Sequence, residues 1–130
     1  MIAMILLLKR KPGMTREQFR HHYETSHVML AKKHVGHLFH DYRRHYVGDV
    51  IAMRGEEVVV NAVEEGAYDV ITKIVFKDQA AVDEFWRIYA IPEVFAELRA
   101  DEQCFLDMPT MRVNICEEVK TWTAADIARS

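Results

Sequence analysis

The chain opens on an unbroken apolar run, Ile2 to Leu8, which stops at Lys9-Arg10-Lys11 and Pro12-Gly13. A strand covered on both faces has this pattern. Thr15 then occupies the position of a helix N-cap, and Gln18 three residues on completes a capping box. Phe19, Tyr23, His27, Leu30 and His34 follow at spacings of three or four, which places them on one helical face, and Gly36 ends the helix. Phe39 to Val47, with Tyr42, Tyr46 and Val47 among charged residues, fits a second strand. In residues 68–76 the side chains alternate, Tyr68, Val70, Thr72, Ile74 and Phe76 on one face and Asp69, Ile71, Lys73 and Val75 on the other. Asp78 caps a helix carrying Val82, Phe85, Trp86 and Tyr89, and Pro92 opens another with Val94, Phe95, Leu98 and Phe105. Met111, Val113, Ile115 and Val119 alternate with Arg112, Asn114 and Glu118 in a last strand, followed by a polar helical tail after about residue 120.

The order is therefore β-α-β-β-α-β, the ferredoxin-like α+β arrangement of an antiparallel sheet with helices on one face. The whole chain, 1–130, is expected to be one domain. Residues 48–66, with Val58-Val59-Val60 between glycines and the acidic pairs Glu56-Glu57 and Glu64-Glu65, predict an extended insertion in the form of a hairpin or flap. Apolar side chains on both faces of the 68–76 strand leave the helix-free face in need of cover, and sheet-to-sheet pairing into a homodimer provides it.

Composition narrows the partners. Half the residues are hydrophobic and 28% are charged, with a net charge of −3 and a pI of about 6.1. No positive field exists to attract nucleic acid or an anionic membrane, so a small hydrophobic or aromatic molecule is the expected ligand. Cys104 and Cys116 belong to no metal or redox spacing, consistent with free thiols and a cytoplasmic location. The opening apolar run lacks a basic stretch in front and a small-residue cleavage site behind, so it is taken as a strand and not a leader. No later run approaches the length of a membrane span.

Several segments together resemble the EthD family: Leu8-Lys9-Arg10-Lys11-Pro12-Gly13-Met14-Thr15 leading to Phe19, Tyr23 through His27 and Leu30, Tyr42-Arg43-Arg44-His45-Tyr46, Tyr68-Asp69 through Phe76, and Asp101-Glu102 with Phe105, Leu106 and Asp107. The resemblance implies a dimeric α/β barrel whose subunits each hold a pocket between helices and sheet. It also implies one of several activities. The first is a small cofactor-independent lyase or isomerase, of dehydratase, cyclase or lactone isomerase type, acting on an aromatic-pathway or polyketide-like intermediate. The alternatives are a non-catalytic ligand-binding or accessory dimer and a cofactor-independent or haem-related monooxygenase. The 48–66 insertion exceeds what a minimal member needs.

His27 matches the family's histidine on the first helix and lies on the sheet-facing side, so it is the candidate acid/base. An imidazole, with an ordinary pKa of about 6.5, both takes and gives a proton near neutrality. Asp69 is the candidate carboxylate to orient it, with pairing to Arg43 or Arg44 as the plainer role. Tyr23, Tyr42, His45, Tyr68 and Trp86 are candidate substrate contacts, Tyr46 being a further phenol that could polarise a carbonyl, although strand parity separates Tyr42 from His45. His34, His37 and His40 are evenly spaced, but Gly36 interrupts their helix and no acid or cysteine completes a metal set, so no metal and no cofactor is expected. Asp101, Glu102 and Asp107 are expected to cap and pair around the last helix.

Overall fold

A computed structural model describes residues 1–60 and 67–130. The apolar opening forms β1, Ile2–Leu8. β2 spans Asp41–Tyr46, β5 Val70–Phe76 and β6 Arg112–Glu117, and these pair with β1 in one antiparallel sheet of order β2-β5-β1-β6. This is the ferredoxin-like α+β fold. One chain contributes an open sheet, so any closed barrel requires a second copy.

The register explains why the two central strands, β1 and β5, are apolar on both faces. Met4 sits opposite Ile74 and Ile115, and Leu6 opposite Thr72 and Val113, so even positions of β1 and β5 share a face with odd positions of β6. That face carries the core. One cluster contains Met4, Ile74, Phe76, Val82 and Phe85, the other Leu8, Phe19, Tyr23, Val70 and Phe105. The opposite face presents Ile5, Leu7, Ile71 and Val75 beside Lys73, Arg43 and His45, and Ile71 is 36% exposed.

Local signals set the helix ends. Thr15 Oγ1 accepts from the Gln18 N–H at 3.1 Å while the Gln18 side chain accepts from the Thr15 N–H at 2.9 Å, starting α1, Arg16–His22. Asp78 accepts from the Ala81 N–H at 3.0 Å and starts α3, Gln79–Tyr89. Pro92, which lacks an N–H that would go unused in a first turn, starts α4, Pro92–Phe105. The long helix read from residues 15 to 36 is interrupted. Tyr23–His27 form a π-helical turn in which the Val28 N–H reaches back to the Tyr23 carbonyl, and α2 resumes over Val28–His34.

The insertion is a hairpin over its described part. β3, Ile51–Arg54, pairs with β4, Glu57–Val60, across a two-residue turn where Gly55 takes φ 63°. The rest of it, including Glu64-Glu65, lies outside the described residues. The polar tail forms a short helix, α5, Ala124–Arg129. Among the described residues no helix is long and apolar enough to cross a membrane.

Phe76 is fully buried and meets Phe39 and Phe85 edge-on. Phe76→Ala is expected to destabilise the fold by about 3–5 kcal/mol, read from the midpoint shift in urea denaturation.

Candidate functional site

The sheet and the helices above it enclose a cavity of about 350 Å³, within the usual range of small-molecule sites. Its floor comes from alternate β1 residues, Met4, Leu6 and Leu8, with Ile74 of β5. Its roof comes from Ala31, Val35, Phe85, Trp86 and Leu98 on the helices. Polar groups enter this apolar wall at two places, one around His27, Tyr23 and Tyr42, the other around Tyr89, Arg99 and Glu102.

The first group is organised by Asp101 on α4. One of its carboxylate oxygens accepts from Ser26 Oγ at 2.6 Å and pairs with His22 Nε2 at 2.9 Å, while the other pairs with His27 Nδ1 at 3.0 Å. Burial alone would raise the Asp101 pKa, but the hydrogen bonds from Ser26, His27 and His22 outweigh it and hold the carboxyl below its ordinary value. An ionised carboxylate only accepts hydrogen bonds, so each imidazole donates to it. In the neutral form of His27 this tautomer carries its proton on Nδ1 and its lone pair on Nε2. His27 is 16% exposed at the side chain, packs against Tyr23 and Phe105, and belongs to the cavity wall.

The π-turn makes this junction possible. His22 and His27 are five residues apart, about 140° apart around a regular α-helix. The i→i+5 turn between them brings both onto the side that meets Asp101. His22, partly buried, stacks on Phe105 at 4.8 Å.

Two phenols line the cavity with His27, Tyr23 buried and Tyr42 partly buried. The Tyr23 hydroxyl shares a 2.7 Å hydrogen bond with Thr72, and burial raises its pKa. Burial also pushes up Tyr42, with the neighbouring Tyr23 adding to the effect. Both remain neutral donors at physiological pH. Tyr42 is supported from below by Arg44, whose guanidinium lies 4.6 Å from the ring centre and grips Glu24 through two bonds of 2.8 and 2.7 Å. That hydrogen-bonded pairing holds the Glu24 pKa below its usual value. Tyr46 also donates to Glu24, at 2.5 Å, so its hydroxyl is taken.

The remaining candidates are dispersed. Trp86 lines the cavity while 41% exposed. Tyr68, just before β5, is partly buried and outside the cavity wall. His45 is paired across from Ile71 on the helix-free face and exposed, so parity selects Tyr42. Asp69 lies apart from His27: it accepts from the Arg10 N–H at 2.9 Å and has Arg10 and Arg16 as its ionic neighbours, at 3.9 and 3.7 Å. The carboxylate against His27 is Asp101. His34 pairs with Glu97 at 3.0 Å, and among the described residues no group of three or more His, Cys, Asp or Glu is placed to hold a metal ion.

Glu102 is the other residue that the expected capping role overlooked. It is 4% exposed, accepts from the Tyr89 hydroxyl at 3.0 Å, and forms part of the cavity wall. Leu98, Glu102 and Phe105 stand at i, i+4 and i+7, the stripe of a buried helix face, so an acid on that stripe was the available signal.

No curated protein matches the sequence. Among solved structures, an Arabidopsis thaliana protein is similar in its crystal form with a TM-score of 0.59 at 15% identity, covering 95% of this chain and 100% of that one. Its solution structure gives 0.57 at 16% identity, with coverage of 94% and 91%. A Bacteroides fragilis NCTC 9343 protein, described as dimeric, of unknown function and ferredoxin-like in fold, gives 0.51 at 11% identity over 90% of this chain and 95% of that one. These likenesses concern the fold. The EthD domain matches residues 11–109, a span that runs from the loop before α1 through α4 and includes His27, Asp101 and Glu102, and the chain therefore belongs to the EthD family.

Proposed function

We propose that the cavity is the site of a small lyase or isomerase that works by histidine acid/base chemistry, without a cofactor, on an aromatic-pathway or polyketide-like intermediate. The observation that carries this reading is the His27–Asp101 pair: an imidazole with its proton fixed on Nδ1 and its Nε2 free, set in the wall of an apolar cavity. Nε2 takes a proton from a carbon next to a carbonyl, and Asp101 stabilises the imidazolium that results. The neutral phenol of Tyr42, hydrogen-bonded to Tyr23, turns that bond to the carbonyl oxygen as negative charge gathers there. The imidazolium then returns its proton to the product or the leaving group. The apolar floor and the aromatic face of Trp86 suit a flat, weakly polar substrate.

A second reading, a ligand-binding module without turnover, is supported by the three side chains that share Asp101, since the same contacts pin the π-turn to α4. Both readings place the protein as a homodimer formed through the helix-free sheet face, where Ile5, Leu7 and Ile71 stand. The hairpin contributes none of its described residues to the cavity wall.

Against a panel of aryl ketones and unsaturated lactones followed by NMR, wild-type protein should convert at least one member, and His27→Ala should lower kcat by roughly 10²–10⁴-fold. Ligand binding without conversion of any member would favour the binding module. Asp101→Asn should lower kcat as well and alter the pH dependence of stability. The depressed Asp101 pKa contributes stability above the ordinary aspartate value of about 3.9, and that contribution is lost as pH falls through the folded-state value. The stability gap between wild type and Asp101→Asn is thus widest above about pH 4 and narrows towards pH 2 in urea titrations. For the dimer, light scattering should give about twice the 15.2 kDa chain mass, and Ile71→Glu, which buries a charge in the paired sheets, should return the single-chain mass.

A further inference from the structure

The mechanism above leaves the second polar group of the cavity unused. Glu102 is an acid on the buried stripe of α4, 4% exposed, within a wall made mostly of apolar side chains. A carboxylate offers about four acceptor positions. One oxygen, Oε1, accepts from the Tyr89 hydroxyl at 3.0 Å, whereas Oε2 is buried with no hydrogen-bond donor in the protein. Buried polar atoms are nearly always satisfied, and one left unsatisfied in a cavity wall signals a partner that is not part of the chain.

The surroundings specify what that partner lacks and what it supplies. Arg99 Nη1 lies 3.6 Å from Oε2, close enough to balance charge and too far to make a good hydrogen bond. The oxygen therefore needs a donor and not a further cation. The rest of the wall, with Met4, Leu6, Phe85 and Trp86, accepts an apolar or aromatic body. We propose that Glu102 is the specificity-determining residue of the cavity, holding a hydroxyl of an aromatic ligand through Oε2 while Tyr89 secures Oε1. A modest turn of the carboxylate about its last side-chain bond, a broad and soft torsion, presents Oε2 to the cavity. A ligand that carries a carboxylate in place of the hydroxyl brings a further acceptor where Oε2 needs a donor, so it is the poorer match at that end. The inference rests on the reading of this cavity as the ligand site, and not on the chemistry performed there.

Three naphthalene probes of matched shape separate these contributions in calorimetric titrations: 2-naphthol, 2-methoxynaphthalene and 2-naphthoate. Wild-type protein should bind 2-naphthol about 10- to 100-fold more tightly than the methoxy compound, as expected when a buried acceptor without a partner gains a donor, and should bind 2-naphthoate least. Glu102→Met should erase the preference for the hydroxyl and relieve the exclusion of 2-naphthoate, with Glu102→Gln keeping part of the former. A preference unchanged in Glu102→Met, or no wild-type binding of 2-naphthol up to about 1 mM, overturns the proposal. Should both variants fail to fold, a crystal structure of the wild type with 2-naphthol decides: the hydroxyl oxygen within about 3 Å of Oε2 supports the assignment, and any other pose overturns it. Because these readouts are of binding, they stand apart from turnover. A protein that selects 2-naphthol yet converts nothing removes the proposed reaction and keeps the role of Glu102, while an active enzyme indifferent to Glu102→Met removes that role alone.

Discussion

The Asp101 carboxylate is the contact on which the helical layer and the site both depend. It ties the π-turn to α4 through three side chains, His22, Ser26 and His27. Hydrogen bonds to a charged group are about twice as strong as neutral ones, so three on one partly buried carboxylate outweigh its desolvation, and the direction of its pKa agrees. The same bonds do two kinds of work. They set the spacing between helices over the sheet, and that spacing leaves the cavity; they also orient the imidazole that opens onto it.

A π-turn is a poor choice for stability alone, since it interrupts the regular ladder of α-helical hydrogen bonds. Here the interruption is offset by side-chain contacts that a regular helix could not make. Around the turn, Tyr23 reaches Thr72 on the central strand, Glu24 takes Arg44 and Tyr46 from the edge strand, and Ser26 and His27 reach α4. Four of the five residues from Tyr23 to His27 thus address three different elements. The segments from Tyr23 to His27 and from Tyr42 to Tyr46, both within the span matched by the EthD domain, are two sides of one network, in which Glu24 and Arg44 keep the edge strand pressed against the helix that carries His27.

The fold was legible because its signals are local. Alternation in Val70–Phe76, the capping box at Thr15 and Gln18, and Pro92 at a helix start are decided within a few residues of chain. The site was legible only in part. His27 could be placed on the sheet-facing side because the spacings from Phe19 to His34 tolerate one extra residue in a turn, and for that reason they could not reveal the turn. Parity separated Tyr42 from His45, and the sheet register decides which of them meets the helices. The sequence offers Asp69 as the carboxylate for the histidine and leaves Asp101 to capping and pairing around the last helix. What distinguishes them is the docking of α4 against the π-turn, a long-range contact on which sequence spacing is silent.

Glu102 differs from Asp101 in that its position did carry a local signal, an acid at i+4 from Leu98 and three residues before Phe105 on a stripe that otherwise faces the core. Adjacent on the helix, the two acids diverge by about 100°, so one turns to the π-turn and the other to the cavity. Their environments divide accordingly. Asp101 is surrounded by donors and holds a catalytic candidate in place, whereas Glu102 keeps one oxygen without a donor in an apolar wall. A helix that served only to cover the sheet would have no reason to turn either acid inward, because apolar residues of similar volume would pack there without the desolvation penalty. Two adjacent carboxylates, Asp101 partly buried among donors and Glu102 buried with one oxygen left open, are better explained by a cavity that must both orient an imidazole and recognise a polar group on what it binds.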